Sequence, residues 1–463
     1  MAETTLAETA ASGDGNPVTG TGEAPGRVDL SGTRLQSRSA FARFQEATEI
    51  DARLIGMVAA LFAIWIGFHL YGELFGNGGF FLTSRNLWNL TVQTASIGIM
   101  ATGMVLVIVT RHIDLSVGSL LGLCAMAMGV FQVQMLPGVA GYGNDWAWAP
   151  TIAVGLAVGT LVGAFHGYLI AYLRIPAFIV TLGGLLVWNG VAYLLARGET
   201  LPFTNTFYKS LGGGGLNGSV GATWTWIIGI ACCIGIAALV YFGRRQRARF
   251  GFRQRPVWGE WTLIALGCAA VIGFVLLVNA YELPRGLQRQ YARAEGIEIP
   301  DGGLSISYGF AIPVLILLAV GIVMTFLATK TRFGRYVFAI GGNPEAAELA
   351  GINTRWVTLK IFALMGFLCG ISAVVASARL GSATNQLGQL DELYVIAAAV
   401  IGGTSLAGGL GTIYGAIIGA LLMQSLQTGM VLVGFDVALQ RVVVGSVLVI
   451  AVFIDTYYRR RTA

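Results

Sequence analysis

Charge is what this chain has least of. Of its 463 residues only 11% are Asp, Glu, Lys or Arg, while 55% are hydrophobic. A water-soluble domain cannot hide that much apolar surface, so the composition, with a mean hydropathy of +0.72, points to a polytopic membrane protein. Histidine occurs three times. The five cysteines (Cys124, Cys232, Cys233, Cys268, Cys369) fall inside apolar runs without the spacing of a zinc or disulfide framework, and read as small core residues. No GxxxxGK[ST] run is present, so the chain brings no P-loop with which to hydrolyse ATP. No charged pair lies deep in an apolar run, as it usually does in an ion-coupled transporter. The formal charge of +6 is not a nucleic-acid signature, because the arginines gather at the ends of apolar segments.

What is present is a series of apolar runs of bilayer length. The fold class expected is all-α and polytopic, with ten to twelve transmembrane helices. Candidate spans are 54–72, 90–109, 115–136, 150–172, 177–196, 223–242, 258–280, 309–328, 357–377, 393–410, 412–433 and 438–457. Two of them are open to question. Residues 393–410 are interrupted by Gly402-Gly403 and Gly408-Gly409, and 90–109 is a candidate for a broken or re-entrant helix. Residues 1–45 are poor in aromatics and read as a disordered tail, and 46–463 as the membrane domain. Arg34, Arg38, Arg43 and Arg53 before the first span, RRQRARFGFRQR (244–255), and Arg459-Arg460-Arg461 place both termini and the 244–255 loop in the cytosol. The first apolar run begins too late for a signal peptide.

One polar loop, 329–356, stands between apolar runs and is bounded by basic residues. It contains a short helix. Asn343 suits the N-cap, Pro344 the first position, Glu345 the positive end, and Gly351 the terminator. About 7 residues, or about 10 Å, is too short to be stable alone in water. Ala346, Ala347, Leu349 and Ala350 are expected on its surface. That surface is either a loop cap packed on its own bundle or a face made to lie in a groove of another protein.

Elsewhere, Arg111-His112-Ile113-Asp114-Leu115-Ser116 interrupts two apolar runs. Its favoured reading is a pair of helix caps, with Asp114 or Ser116 opening the next helix and Arg111 closing the previous one; a proton relay through His112 and Asp114 is the alternative. Asn89, Gln93, Asp114, Ser116 and Asn189 are the candidate substrate-pathway residues. The amides among them, with Gln424 and Gln427, either line a path or bond across helices. His166 reads as a satisfied core residue. Gly155, Gly159, Gly163 and Gly167, like Gly411, Gly415 and Gly419, recur every fourth residue and allow close helix approach, either inside one subunit or between subunits.

Four stretches together resemble the sugar branch of bacterial ATP-binding-cassette (ABC) importer permeases, the ribose, xylose and galactose family. They are GMVLVIVTRHIDLSVGSLLG (103–122), RIPAFIVTLGGL (174–185), TRFGRYVFAIGGNPEAAELAGI (331–352) and VIAAAVIGGTSLAGGLGTIYGAIIGALL (395–422). The likeness runs from about residue 85 to the C-terminus, apart from an inserted region, 205–305. That insertion and the Arg111-His112 pair look most like the xylose-type permease. The resemblance implies a non-enzymatic permease subunit of the bacterial inner membrane. It would import a monosaccharide, a pentose such as D-xylose, as a homodimer within membrane lipid. A periplasmic sugar-binding protein would deliver the substrate, and a separate, tandem-domain ABC ATPase using ATP-Mg would drive transport, with no cofactor bound by this chain. Asn343, Glu345, Ala346, Ala347 and Gly351 inherit the ATPase-coupling role. An ion-coupled secondary transporter of a small polar solute is the rival reading.

Overall fold

Helix formation follows the apolar runs closely. The computed structural model describes residues 40–75, 78–141, 143–300 and 304–462. The helices used below are α1 (Ala52–Phe75), α2 (Ser84–Val109), α3 (Val117–Gly129), α4 (Trp148–Ala171), α5 (Ala177–Ala196), α6 (Gly221–Arg249), α7 (Val257–Asn279), α8 (Arg285–Glu295), α9 (Ile312–Lys330), α10 (Arg332–Gly342), α11 (Pro344–Leu349), α12 (Thr354–Leu380), α13 (Asp391–Ile401), α14 (Ile413–Val433) and α15 (Val437–Thr462). Ten helical stretches among the described residues are long and apolar enough to cross a membrane. Most of the expected tail lies outside the described residues, and its end, from Ala40, is helical to Thr48. The described residues before Gln45 fall in a separate unit, and everything below concerns residues 45–463.

Two expectations about broken spans part company here. Residues 393–410 do break: α13 stops at Ile401, and a glycine loop follows with Gly403, Gly408 and Gly409 all at positive φ. The 90–109 run does not break. α2 is continuous from Ser84 to Val109 and forms the axis of the bundle, with α9, α12, α13 and α14 packed around it. In its apolar stretch 89% of residues are buried, against 6% in α1 and α6 and 11% in α7. The periphery therefore offers apolar side chains to lipid, and the inserted hairpin α6–α7 is part of that periphery.

The glycine ladder of α4 faces inward. A Cβ at Gly159 would strike the Gly366 carbonyl, one at Gly163 the Phe362 carbonyl, and one at Gly167 the backbone of Leu359. Gly366 and Gly370 on α12 return the contact against the backbone of Gly159 and Gly155. Two small-residue faces thus bring the α4 and α12 backbones together within one subunit, where close van der Waals packing replaces a hydrophobic driving force that lipid cannot supply. In the second ladder, Gly415 meets the Gly402 carbonyl and Gly419 the Ala398 carbonyl. Gly366→Ala is expected to overpack the first seam at about 1–3 kcal/mol. A fall of several degrees in the unfolding midpoint of the purified protein would register it. Gly183→Ala, at a position with open space around its Cβ, should not move the midpoint.

The segment ahead of α1 is tied to the end of α6 and to the loop that follows it. Arg247 donates two hydrogen bonds to the Glu49 carboxylate at 2.8 Å each, and Arg255 a third at 2.8 Å. The two guanidinium groups lower the Glu49 pKa from 4.5 to about 2. Because the folded value is depressed, the tie is at full strength above pH 4.5 and is lost as pH falls toward 2. Cleavage by pepsin around residues 45–51 is expected to rise only below about pH 4. In Glu49→Gln it should be fast across the whole acidic range. Equal cleavage rates in the two proteins would remove the role of the tie.

Candidate functional site

The loop between α9 and α12 holds two helices back to back. Thr331 Oγ1 accepts from Gly334 N and opens α10. Asn343 closes α10 and opens α11, its Oδ1 accepting from Ala346 N at 3.0 Å. Pro344 occupies the first turn, where its missing N–H leaves nothing unsatisfied. Gly351, at φ +83°, lets the chain leave α11 with its amide bonded to the Glu348 carbonyl. The local syntax is the one expected from Asn343, Pro344 and Gly351.

The exposed face needs one correction. Ala347 does not face out: it is 4% exposed and belongs to the main core. Ile352 N bonds back to the Ala347 carbonyl, folding the exit strand under the helix. A six-residue helix must rest one side on the bundle, and Ala347 is on that side. Glu345, Ala346, Leu349 and Ala350 remain outside. Leu349 is 90% exposed and leads this outward side of the helix.

Behind α11 three chain segments converge. Arg111 adopts left-handed backbone geometry (φ 64°) just past α2. Its Nε donates to the Gly341 carbonyl at 3.0 Å and its Nη2 to the Gly342 carbonyl at 2.7 Å. These carbonyls end α10, where a cation meets the negative end of the helix dipole. Arg111 therefore caps a distant helix and not α2, as its position in the sequence suggests. Gly409 N bonds to the Val109 carbonyl at 2.9 Å, and a side chain at Gly408 would collide with that of Arg111. The end of α2, the end of α10 and the glycine loop after α13 thus form one knot, one residue away from the cap of α11.

From Arg111 the chain runs without regular structure through 112–116 into the bundle before α3 begins. Asp114 and Ser116 are both buried. Asp114 Oδ1 accepts from Ser116 N at 2.9 Å and from Ser116 Oγ at 2.6 Å, closing a side-chain turn just ahead of α3; Ser116 holds the N-cap position without a side-chain capping bond, so the expected cap by either side chain does not form. Trp188 Nε1 donates to His166 Nε2 at 2.8 Å, which leaves the proton of a neutral imidazole on Nδ1, 3.3 Å from Ser116 Oγ. Trp188, His166, Ser116 and Asp114 form a one-directional donor chain that fixes segment 112–116 to α4 and α5. His166 is a satisfied core residue, as expected. Segment 385–390 lies against the same region: a Cβ at Gly118 would strike the Gly388 carbonyl, and one at Gly388 the Gly118 carbonyl. Asp391 and Glu392 follow in the first turn of α13.

The other polar candidates lie apart from this network. Gln424 Nε2 donates to Gln93 Oε1 at 3.0 Å, joining α14 to α2. Ser96 and Ser372 bond at 2.7 Å, joining α2 to α12. Asn89, Gln93 and Ser96 fall at helical spacing on α2 and are all half-buried. Asn189 is half-buried on α5, and neither it nor Asn89 makes a side-chain hydrogen bond among the described residues. The structure thus brings together Asp114 and Ser116, and separately Gln93 with Gln424. Arg111 as a carbonyl ligand and Trp188 as the partner of His166 were not foreseen. No spacing rule announces either, because each partner is more than 20 residues distant.

The sequence comparisons agree with this architecture. A family model described as a branched-chain amino acid transport system / permease component matches residues 86–254 and 254–452. The xylose transport system permease protein of Escherichia coli K12 is 35% identical over 419 residues, covering 90% of this chain and 95% of the relative. The xylose permease protein of Haemophilus influenzae is 36% identical over 386 residues, covering 83% and 92%. The ribose import permease protein of E. coli K12 is 32% identical over 376 residues, covering 81% and 87%. No solved structure matches the chain. The family takes its name from amino-acid transport, while these relatives are sugar permeases. The chain belongs to this permease family of bacterial ABC importers, in its sugar-transporting branch, as a multi-pass protein of the inner membrane.

Proposed function

We propose that the chain is the membrane subunit of a monosaccharide importer whose substrate is a pentose such as D-xylose. It works as a homodimer, receives sugar from a periplasmic binding protein, and is driven by ATP-Mg hydrolysis on a separate tandem-domain ATPase. The similarity to xylose permeases over 90% of the chain supports the sugar. The observation that carries the coupling is α11: a capped, six-residue helix showing Leu349 to solvent and held from behind through Gly341 and Gly342.

In this reading Ala346, Leu349 and Ala350 enter a groove of the ATPase, with Glu345 at the rim. Ala347 and Asn343 hold the helix in shape, and Gly351 lets the chain turn away. When the ATPases close, α11 moves, α10 moves with it, and Arg111 carries the displacement to segment 112–116 and the base of α3. Asn89 and Gln93 are the pathway residues that the geometry favours, since half-buried amides on the central helix offer both donors and acceptors to sugar hydroxyls. Asp114 and Ser116 act as the lock that holds the moving segment. Asn189 lies on a more exposed helix and has the weaker claim.

The test is reconstitution of permease, ATPase and binding protein in vesicles. Uptake of labelled D-xylose is expected to require ATP on the ATPase side and to survive a protonophore. Uptake by the permease alone, abolished by the protonophore, would overturn the ATP-driven reading and restore ion coupling.

A further inference from the structure

The inserted hairpin carries a feature that sugar transport does not use. At the end of α6 that the arginine pattern places in the cytosol, a cavity of about 320 Å³ opens between α6 and α7. Leu239, Val240 and Gly243 form its apolar side, and Arg244, Arg247, Arg255 and Glu260 its polar side. Arg245, Arg249 and Arg253 stand exposed nearby. Across this tip six arginines meet two carboxylates, Glu49 and Glu260, with Arg244 paired to Glu260 at 2.6 Å. Donor capacity is left over. Arg255 Nε is buried with no hydrogen-bond partner, and Arg255 uses only Nη2 on Glu49.

We infer that this cavity binds the phosphate group of an anionic phospholipid of the cytosolic leaflet. The apolar side suits the upper acyl chain and the arginine side the headgroup, in the order that a lipid presents them. Both helices are almost wholly lipid-facing, so the cavity opens where lipid already is. Exposed Trp258 and Trp261, one turn into α7, sit where interfacial aromatics anchor a helix. Arginine matches phosphate oxygens through paired N–H donors. The carboxylate of Glu49 occupies two of the arginines and competes with that phosphate. Simple positive-inside topology accounts for the charge, but not for a cavity with an unpartnered guanidinium nitrogen.

The experiment uses the full-length purified permease. Short-chain phosphatidylglycerol or phosphatidylcholine is titrated in, and retained lipid is counted by native mass spectrometry. Phosphatidylglycerol should be preferred, and each arginine changed to Gln should cost about fivefold. Arg247→Gln/Arg255→Gln should therefore fall toward the phosphatidylcholine level. Glu49→Gln should move the other way and raise phosphatidylglycerol retention, a sign that mere loss of the Glu49 tie cannot produce, since the arginine variants break the same tie. Inorganic phosphate at equal concentration should not displace the lipid. Equal retention of the two lipids, or a fall in Glu49→Gln, would overturn the site. Displacement by inorganic phosphate would show that it takes a free anion and not a lipid.

Discussion

Leu349→Asp is expected to abolish sugar uptake while the permease remains at normal abundance in the membrane. Leu349 is 90% exposed, so the change removes no internal packing. In an ATPase groove, burial of a leucine contributes about 1.5–3 kcal/mol. Putting a carboxylate there adds a desolvation cost of similar size or larger. A loss of about 3 kcal/mol corresponds to more than a hundredfold in affinity, so the ATPase should no longer co-purify. Ala346→Arg, on the same face, should act in the same way. Ala347→Arg is a different experiment. Its side chain would enter the core of the same subunit, so the expected result is lost abundance and not lost docking. Gly351→Val falls between the two. No atom lies within 4 Å of the added Cβ, but φ +83° strains a β-branched residue. If Leu349→Asp retains both the ATPase and uptake, α11 is a loop cap and the coupling assignment is withdrawn.

These contrasts also mark what the sequence carries and what it withholds. Bilayer-length apolar runs place the ten membrane-length helices, because a backbone in lipid must satisfy itself within one helix, while the run at 393–410 is broken by its glycines. Asn343, Pro344 and Gly351 spell out α11 because capping is local chemistry. The side that α11 rests on is not local: it depends on α12 beneath it, and Ala347 looks no different from Ala346 in the sequence. The α4 ladder was legible as a close-packing face, and Gly366 and Gly370 repeat its spacing on α12, but the pairing of two ladders is a tertiary fact. Segment 112–116 illustrates the deepest gap. Leu115 and Ser116 read as the start of the 115–136 span, yet they run irregularly inside the bundle, where Ser116 is held by His166, itself bonded by Trp188, from two other helices. Of the pathway candidates, Gln93 bonds Gln424 across helices, which neither residue reveals alone.

Arg111 supplies the sharpest test of how motion leaves α11. Its two bonds to Gly341 and Gly342 are charge-assisted, a class that contributes about 1.5–3 kcal/mol each. They are the only side-chain hydrogen bonds among the described residues that join the α2–α3 junction to α10. Arg111→Ala is therefore expected to cut uptake by at least about tenfold, equivalent to about 1.4 kcal/mol, with the ATPase still bound and still hydrolysing ATP. This separates it from Leu349→Asp, in which binding itself is lost. Arg111→Lys should recover part of the activity, since an ammonium reaches one carbonyl but cannot fork across two. The backbone at φ 64° offers a second control. Arg111→Gly relieves that strain and removes the side chain, so it should be as defective as Arg111→Ala if the guanidinium is the link. If Arg111→Gly transports like the wild type, the residue matters only as a turn, and displacement of α11 must reach the pathway through the α12 end of the loop instead.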